Sequence, residues 1–198
     1  MTKTRLIPRL GANGAAHLSA AMSGDVFDLV RSTGLPWKVA IAGDMAHPWV
    51  RTIEAPVEAQ PEGEIGVRLI EALRGGGVAI GTDAPTLPVA FLREAHGSQA
   101  DVVIAPAFDG GYVLVGTDET VENAKLFTDI PWSAPVTFAS QVERTRDLSL
   151  SLRILPFWYD VDSPDDLDFL ARHLPTLPAS VAPRTRAFLE ALHAAPDR

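Results

Sequence analysis

The chain has 198 residues, 46% hydrophobic and 21% charged, enough for one sizeable core and short for two. A formal net charge of −8 at pH 7 disfavours nucleic acid as a partner, and the absence of cysteine excludes a disulfide framework, a thiolate nucleophile and a cysteine-based zinc site. No apolar run reaches the length of a membrane span and the basic start MTKTRLIPRLG has no apolar core behind it, so the expected location is the cytoplasm, with no membrane span.

In chain order, GANGAAHLSAAMSGDVFDLVRST (11–33) predicts a helix with Leu18, Met22 and Val26 on one face, stopped by Gly34-Leu-Pro36. WKVAIAG (37–43) reads as a buried strand and RTIEAPV (51–57) as a short second one. A helix follows from about Glu64 to Arg74, with Ile65, Leu69, Ile70 and Leu73 on one side and Gly75–Gly77 ending it. VAIGT (78–82) is a strand and 88–96 a helix. DVVIAPA (101–107) is a buried strand, FDGG (108–111) a turn, and YVLVGT (112–117) a returning strand. Residues 135–146 predict a helix, then the strand SLRILPF. SPDDLDFLARHL (163–174) carries explicit start signals: Ser163 to cap, Pro164 at the first position and Asp166 to complete a capping box, with Leu167, Leu170 and Leu174 as the apolar stripe. LPTLPASVAP is a linker and RTRAFLEALHAA (184–195) a final helix.

VAI and DVVIA are continuous apolar runs, which predicts burial on both faces and therefore a three-layer α/β domain with a mainly parallel sheet. A single domain accounts for residues 1–198, with 175–198 as a linker and C-terminal helix appendage.

Parallel α/β sheets place ligands beyond the carboxyl ends of their strands. Asp83 after VAIGT, Asp109 after VIAPAF, and Asp160 and Asp162 after ILPFWY fall there. Collected carboxylates suit a hard divalent ion, Mg²⁺ or Mn²⁺; equally, Asp83 caps the helix after Pro85. In FDGGY, Gly110 and Gly111 allow a close backbone approach by a ligand, or simply a turn, and Tyr112 either stacks on a base or joins the core. Lys3, Arg5 and Arg9 form a local basic cluster that either grips phosphate or frays into solvent. Arg68 is either a further cationic contact or a surface residue. In IPWSAP (130–135), Trp132 and Ser133 line an acceptor pocket or form a packed connector. The five histidines show no metal-ligand spacing, and no nucleophile elbow or phosphate-binding P-loop is present.

KTRL followed by LGANGAA, EGEIGVRL, IGTDAPTLP, ADVVIAPAFDGGYVLVG, IPWSAP and YDVDSPDDL occur in that order between residues 3 and about 173. Together they resemble the bacterial glycosyltransferase-A-like transferases, formerly domain of unknown function 2064, also called radical-SAM/selenodomain-associated transferase type 1. The resemblance implies a Rossmann-like nucleotide-diphospho-sugar transferase fold shared with nucleotidyltransferases. It implies Asp83 as the metal carboxylate, with Asp162 and Asp160 approaching from the other side, and Lys3 and Arg5, with Arg68 and Gly81, around the nucleotide phosphates. Asp109, Gly110 and Gly111, with Tyr112, Trp132 and Ser133, belong to the donor or acceptor pocket, and Asp83, Asp109 and Lys3 are the catalytic set. Glu64, Val67, Ala84 and Thr86 depart from the family's usual Asp, Glu, Cys and Gly. The family carries an apolar strand before KTRL, so the resemblance implies a missing first strand whose loss leaves two sheet edges unpaired; a truncated or misassigned start is the favoured expectation, with another segment or chain filling the gap, or a decayed copy, as the alternatives.

The function expected on these grounds is a metal-dependent transferase enzyme. It takes a nucleotide or nucleotide sugar and a small-molecule acceptor, and transfers either a glycosyl group with release of a nucleoside diphosphate or a nucleotidyl group with release of pyrophosphate. The alternative from another class is a non-catalytic nucleotide-binding protein. An exposed sheet edge favours a homodimer.

Overall fold

The structure, a computed structural model, describes residues 3–194. Ala195, the last residue of the predicted final helix, lies outside the described residues. The elements run α1 (Ile7–Arg31), β1 (Val39–Ile41), β2 (Val57–Ala59), α2 (Ile65–Ala72), β3 (Gly77–Ile80), α3 (Val89–His96), β4 (Val102–Pro106), β5 (Tyr112–Thr117), α4 (Asn123–Phe127), α5 (Thr137–Asp147), β6 (Leu152–Ile154), α6 (Pro164–His173) and α7 (Pro183–Ala194), with short 3-10 turns at Thr4–Leu6, Val50–Thr52 and Leu174–Thr176. The chain divides into two compact units. The first comprises the chain up to Ser32, Gly81–Val89 and the chain from Trp158 on; the second comprises Thr33–Ile80 and Ala90–Phe157.

The second unit holds all the strands found among the described residues. Four form one sheet in the order β3-β5-β4-β6, and β1 pairs with β2 in a separate two-stranded parallel sheet. The expected mainly parallel sheet is corrected here: β5 runs antiparallel to both β3 and β4, and only β4–β6 is parallel within the larger sheet. The cause is the link between β4 and β5. Residues 107–111 close a tight turn, with Ala107 N–H donating to Gly111 C=O at 2.9 Å, and so short a link permits only a hairpin. The apolar run of β5 is buried because the strand is internal, not because its neighbours are parallel. Among the described residues β3 pairs on one side only, with β5, and β1 only with β2.

Leu73, Val102, Ile104, Val115, Leu126 and Phe127 form the unit's core, with Leu69, Ile70, Trp132 and Phe138 packed against it. Leu69, Ile70 and Leu73 therefore face inward as their spacing predicts. Ile65 departs from that stripe: at the first position of α2 it is exposed. The sequence reading had no element at α4, where the buried Asn123 donates from Nδ2 to Leu73 C=O at 2.6 Å.

The first unit is helical. Leu6, Leu18 and Met22 of the N-terminal segment pack with Val161, Leu167, Leu170 and Leu174, and with Ala182 and Leu189 at α7. α1 starts earlier than predicted and is broken at Gly11. α6 begins as its start signals predict: Ser163 Oγ accepts from Asp166 N–H, and Asp166 Oδ2 accepts from Ser163 N–H at 2.7 Å, with Pro164 in the first turn. α7 shares its core with α1, so the predicted appendage packs into this unit. No described helix is long and apolar enough to cross a membrane.

Candidate active site

Two loops of the first unit carry Asp83, Asp160 and Asp162. Gly81–Val89 follows β3 in sequence, and residues 158–163 run into α6. Their backbones are joined directly, Val161 N–H donating to Asp83 C=O at 2.9 Å. Asp83, Asp160 and Asp162 are each half-buried and present one carboxylate oxygen apiece, all within 4.8 Å of one another. Of the carboxylates expected to converge, Asp83, Asp160 and Asp162 do so, whereas Asp109 belongs to the second unit. Three hard oxygen donors at this spacing fit a cation of the Mg²⁺ or Mn²⁺ kind.

A cationic side chain already lies among them. Lys3 Nζ is 3.3 Å from Asp83 Oδ2 and also bonds Asp162 Oδ1. The Lys3 backbone is left-handed, at φ 55° and ψ 44°, and its C=O accepts from Leu6 N–H at 3.0 Å as the 3-10 turn begins. Asp162 is held from behind, its N–H donating to Asp166 Oδ2 at 3.1 Å, so the α6 capping box also positions the acidic loop.

A second set of bonds ties the same loops together. Trp158 Nε1–H donates to Thr86 Oγ1 (3.3 Å), and Thr86 Oγ1–H donates to the Tyr159 hydroxyl (2.9 Å). The Tyr159 hydroxyl is also hydrogen-bonded to His173 Nδ1, 2.8 Å away on α6. Burial pushes the Tyr159 hydroxyl up from its ordinary pKa, partly opposed by the bond from Thr86. Sequence reasoning noted Thr86 only as a departure and found no role for His173. The signal lies in partners 73 and 14 residues apart, which no local pattern reports.

The remaining predicted residues fall as follows. Arg5 is exposed on the first 3-10 turn, whereas Arg9 pairs with Asp168 at 2.6 Å, which raises its pKa, and donates to Pro164 C=O. Gly81 lies close against Asp83: a Cβ there would overlap Asp83 Oδ1. In the second unit, Asp109 is exposed and its Oδ1 accepts from Gly111 N–H at 2.8 Å, shaping the FDGG turn. Gly110 sits at φ 91° against Pro135. Tyr112 packs on the core and meets Trp132 edge-on, the ring centroids 6.3 Å apart; burial pushes its hydroxyl pKa up. Trp132 also lies against Phe127, and Ser133 is exposed at φ 55°. Arg68 is half-buried, with an Nε that is buried and has no hydrogen-bond partner among the described residues.

Comparison with known proteins bears on this arrangement. A crystal structure from Desulfovibrio desulfuricans G20, provisionally named a nucleotide-diphospho-sugar transferase, superposes with a TM-score of 0.88 at 27% identity, covering 97% of this chain and 89% of that one. A 2-phospho-L-lactate guanylyltransferase of Archaeoglobus profundus is 25% identical over 175 residues, 86% of this chain and 78% of its own length. The fold is accordingly a Rossmann-like α/β fold of the glycosyltransferase-A type, with the catalytic scaffold of glycosyl- and nucleotidyltransferases. The radical-SAM/selenodomain association finds no support in these relatives. Residues 26–134, more than half of the chain, match the family described as "Uncharacterized protein conserved in bacteria (DUF2064)", and the chain belongs to that family.

Proposed function

We propose that this chain is a divalent-metal-dependent transferase acting on a nucleotide-activated donor, moving a glycosyl group from a nucleotide diphosphate sugar to a small acceptor. The observation that carries the reading is the convergence of Asp83, Asp160 and Asp162, with the Lys3 ammonium bonded to Asp83 and Asp162. The three carboxylates would hold Mg²⁺ or Mn²⁺, which supplies charge neutralisation for a departing diphosphate. Lys3 and Arg5 donate to phosphate oxygens, arginine by a bidentate grip, with Gly81 in the same set, and Arg68 keeps the cationic role that the family likeness implies. Asp109, Gly110 and Gly111, with Tyr112, Trp132 and Ser133, keep the donor- or acceptor-binding role that the family likeness implies.

A second reading, transfer of a nucleotidyl group from a triphosphate to a phosphorylated acceptor, is favoured by the likeness to the guanylyltransferase. Incubation with Mg²⁺, labelled nucleotide sugars or triphosphates, and a pool of small acceptors separates the two. Release of a nucleoside diphosphate supports glycosyl transfer, and release of pyrophosphate supports nucleotidyl transfer. Binding without turnover across the pool would make the protein a nucleotide binder. Asp83→Asn weakens metal-dependent nucleotide binding; unchanged affinity in that variant removes the site.

A further inference from the structure

The position of Lys3 is unusual for a residue whose task is to hold phosphate. Its ammonium is engaged by Asp83 and Asp162, and its side chain is only 10% exposed, whereas the two carboxylates are 33% and 44% exposed. The lysine side chain is therefore more buried than the two carboxylates that hold its ammonium. A left-handed backbone, uncommon for a residue with a side chain, accompanies this placement. Three carboxylates this close repel one another unless a positive charge sits among them, and Lys3 supplies one.

Resting on the metal-site reading above, we propose that Lys3 is an internal competitor for the divalent cation. The ammonium occupies carboxylate oxygens that a metal would need, so metal alone binds weakly and must displace the lysine. Once displaced, the ammonium has lost its counter-charges, and a donor diphosphate restores them. The site thereby discriminates between free metal and metal arriving with an anionic donor, a coupling that works equally in both directions.

A lysine that only grips phosphate predicts no change in free-metal affinity when it is removed. The competitor role predicts tighter binding. The test is Mn²⁺ binding to the whole chain without nucleotide, followed by electron paramagnetic resonance, with thermal melting to confirm folding. Lys3→Gln is expected to bind Mn²⁺ about tenfold or more tightly than the natural protein, and Lys3→Ala likewise, while Lys3→Arg, which keeps the charge, stays near the natural value. Affinity equal to or weaker than natural in both neutral variants overturns the competitor role. Adding Asp83→Asn to Lys3→Gln is expected to abolish the gained affinity; if tight binding persists in the double variant, the metal lies elsewhere and the site reading itself fails.

Discussion

Replacing Asp25 by alanine should destabilise the protein by an amount that can be built from its contacts. Asp25 lies on α1 with a side chain 1% exposed. Its oxygens accept from Arg184 N–H (3.0 Å), Thr185 N–H (2.8 Å) and Thr185 Oγ1–H (2.6 Å). Those two amides belong to the first turn of α7, whose initial N–H groups have no partner within the helix. The residue preceding α7, Ala182, has no side-chain acceptor, so Asp25 caps the helix from a distance of about 160 residues along the chain. Losing an N-cap costs about 1–2 kcal/mol, and losing a carboxylate at a partly buried helix N-terminus up to about 2. Thr185 is fully buried, so water cannot take over its donors, and stranding them costs about 1–3 kcal/mol. These contributions overlap, and the expected total for Asp25→Ala is about 3–4 kcal/mol. For a chain of this length that lowers the melting temperature by about 10 °C. Asp25→Asn keeps an acceptor oxygen and loses the charge, so it should cost about 1–2 kcal/mol. Circular dichroism melts and urea titrations measure both. A drop below about 3 °C for the alanine variant, or equal losses for the two variants, would refute the capping argument.

Gly110→Ala should cost more than about 3 kcal/mol in urea unfolding, because αL strain at φ 91° adds to overlap with the Pro135 carbonyl and a Cβ 2.6 Å from Pro135 Cα; natural stability would rule this turn out. Gly81→Ala should change stability by less than about 1 kcal/mol, since the overlapped Asp83 carboxylate can rotate away, yet weaken Mn²⁺ binding measurably; unaltered Mn²⁺ affinity would count against the site. Both tyrosines have hydroxyl pKa values raised above 10.0 by burial. The unfolded chain therefore loses these protons first, and stability present below pH about 10 falls as pH rises towards the folded values. Phenolate absorbance should appear together with loss of circular dichroism, and ionisation at pH about 10 in a folded protein would contradict it.

The helix boundaries were legible where local chemistry sets them. Ser163, Pro164 and Asp166 specify the start of α6 without reference to the rest of the chain, and the structure holds both bonds of the capping box. The strand directions were less so. Continuous apolar runs report burial on both faces, and in β5 that burial comes from lying between β3 and β4. The short FDGG link is the better guide, because it forces an antiparallel return whatever the hydrophobic pattern. α4 went unseen because five residues are too few to establish a helical period, and it is held by Asn123 and Gln141, whose amides donate to backbone carbonyls distant in sequence.

The candidate site divides along a similar line. Asp83, Asp160 and Asp162 could be read because strand ends are where such a fold collects polar groups, and a half-buried charge needs a partner wherever it sits. What positions them was not readable: a hydroxyl such as that of Thr86 has many ways to be satisfied, and nothing local selects Tyr159 over water. Yet the hydrogen bonds joining Thr86, Tyr159 and His173, with the Val161–Asp83 backbone bond, hold the two loops together without using the site's carboxylates. The loops' geometry is therefore set independently of any cation between the carboxylates. That independence permits an ammonium and a metal to exchange on the same oxygens without remaking the fold, so the electrostatics of the site can switch while its scaffold does not.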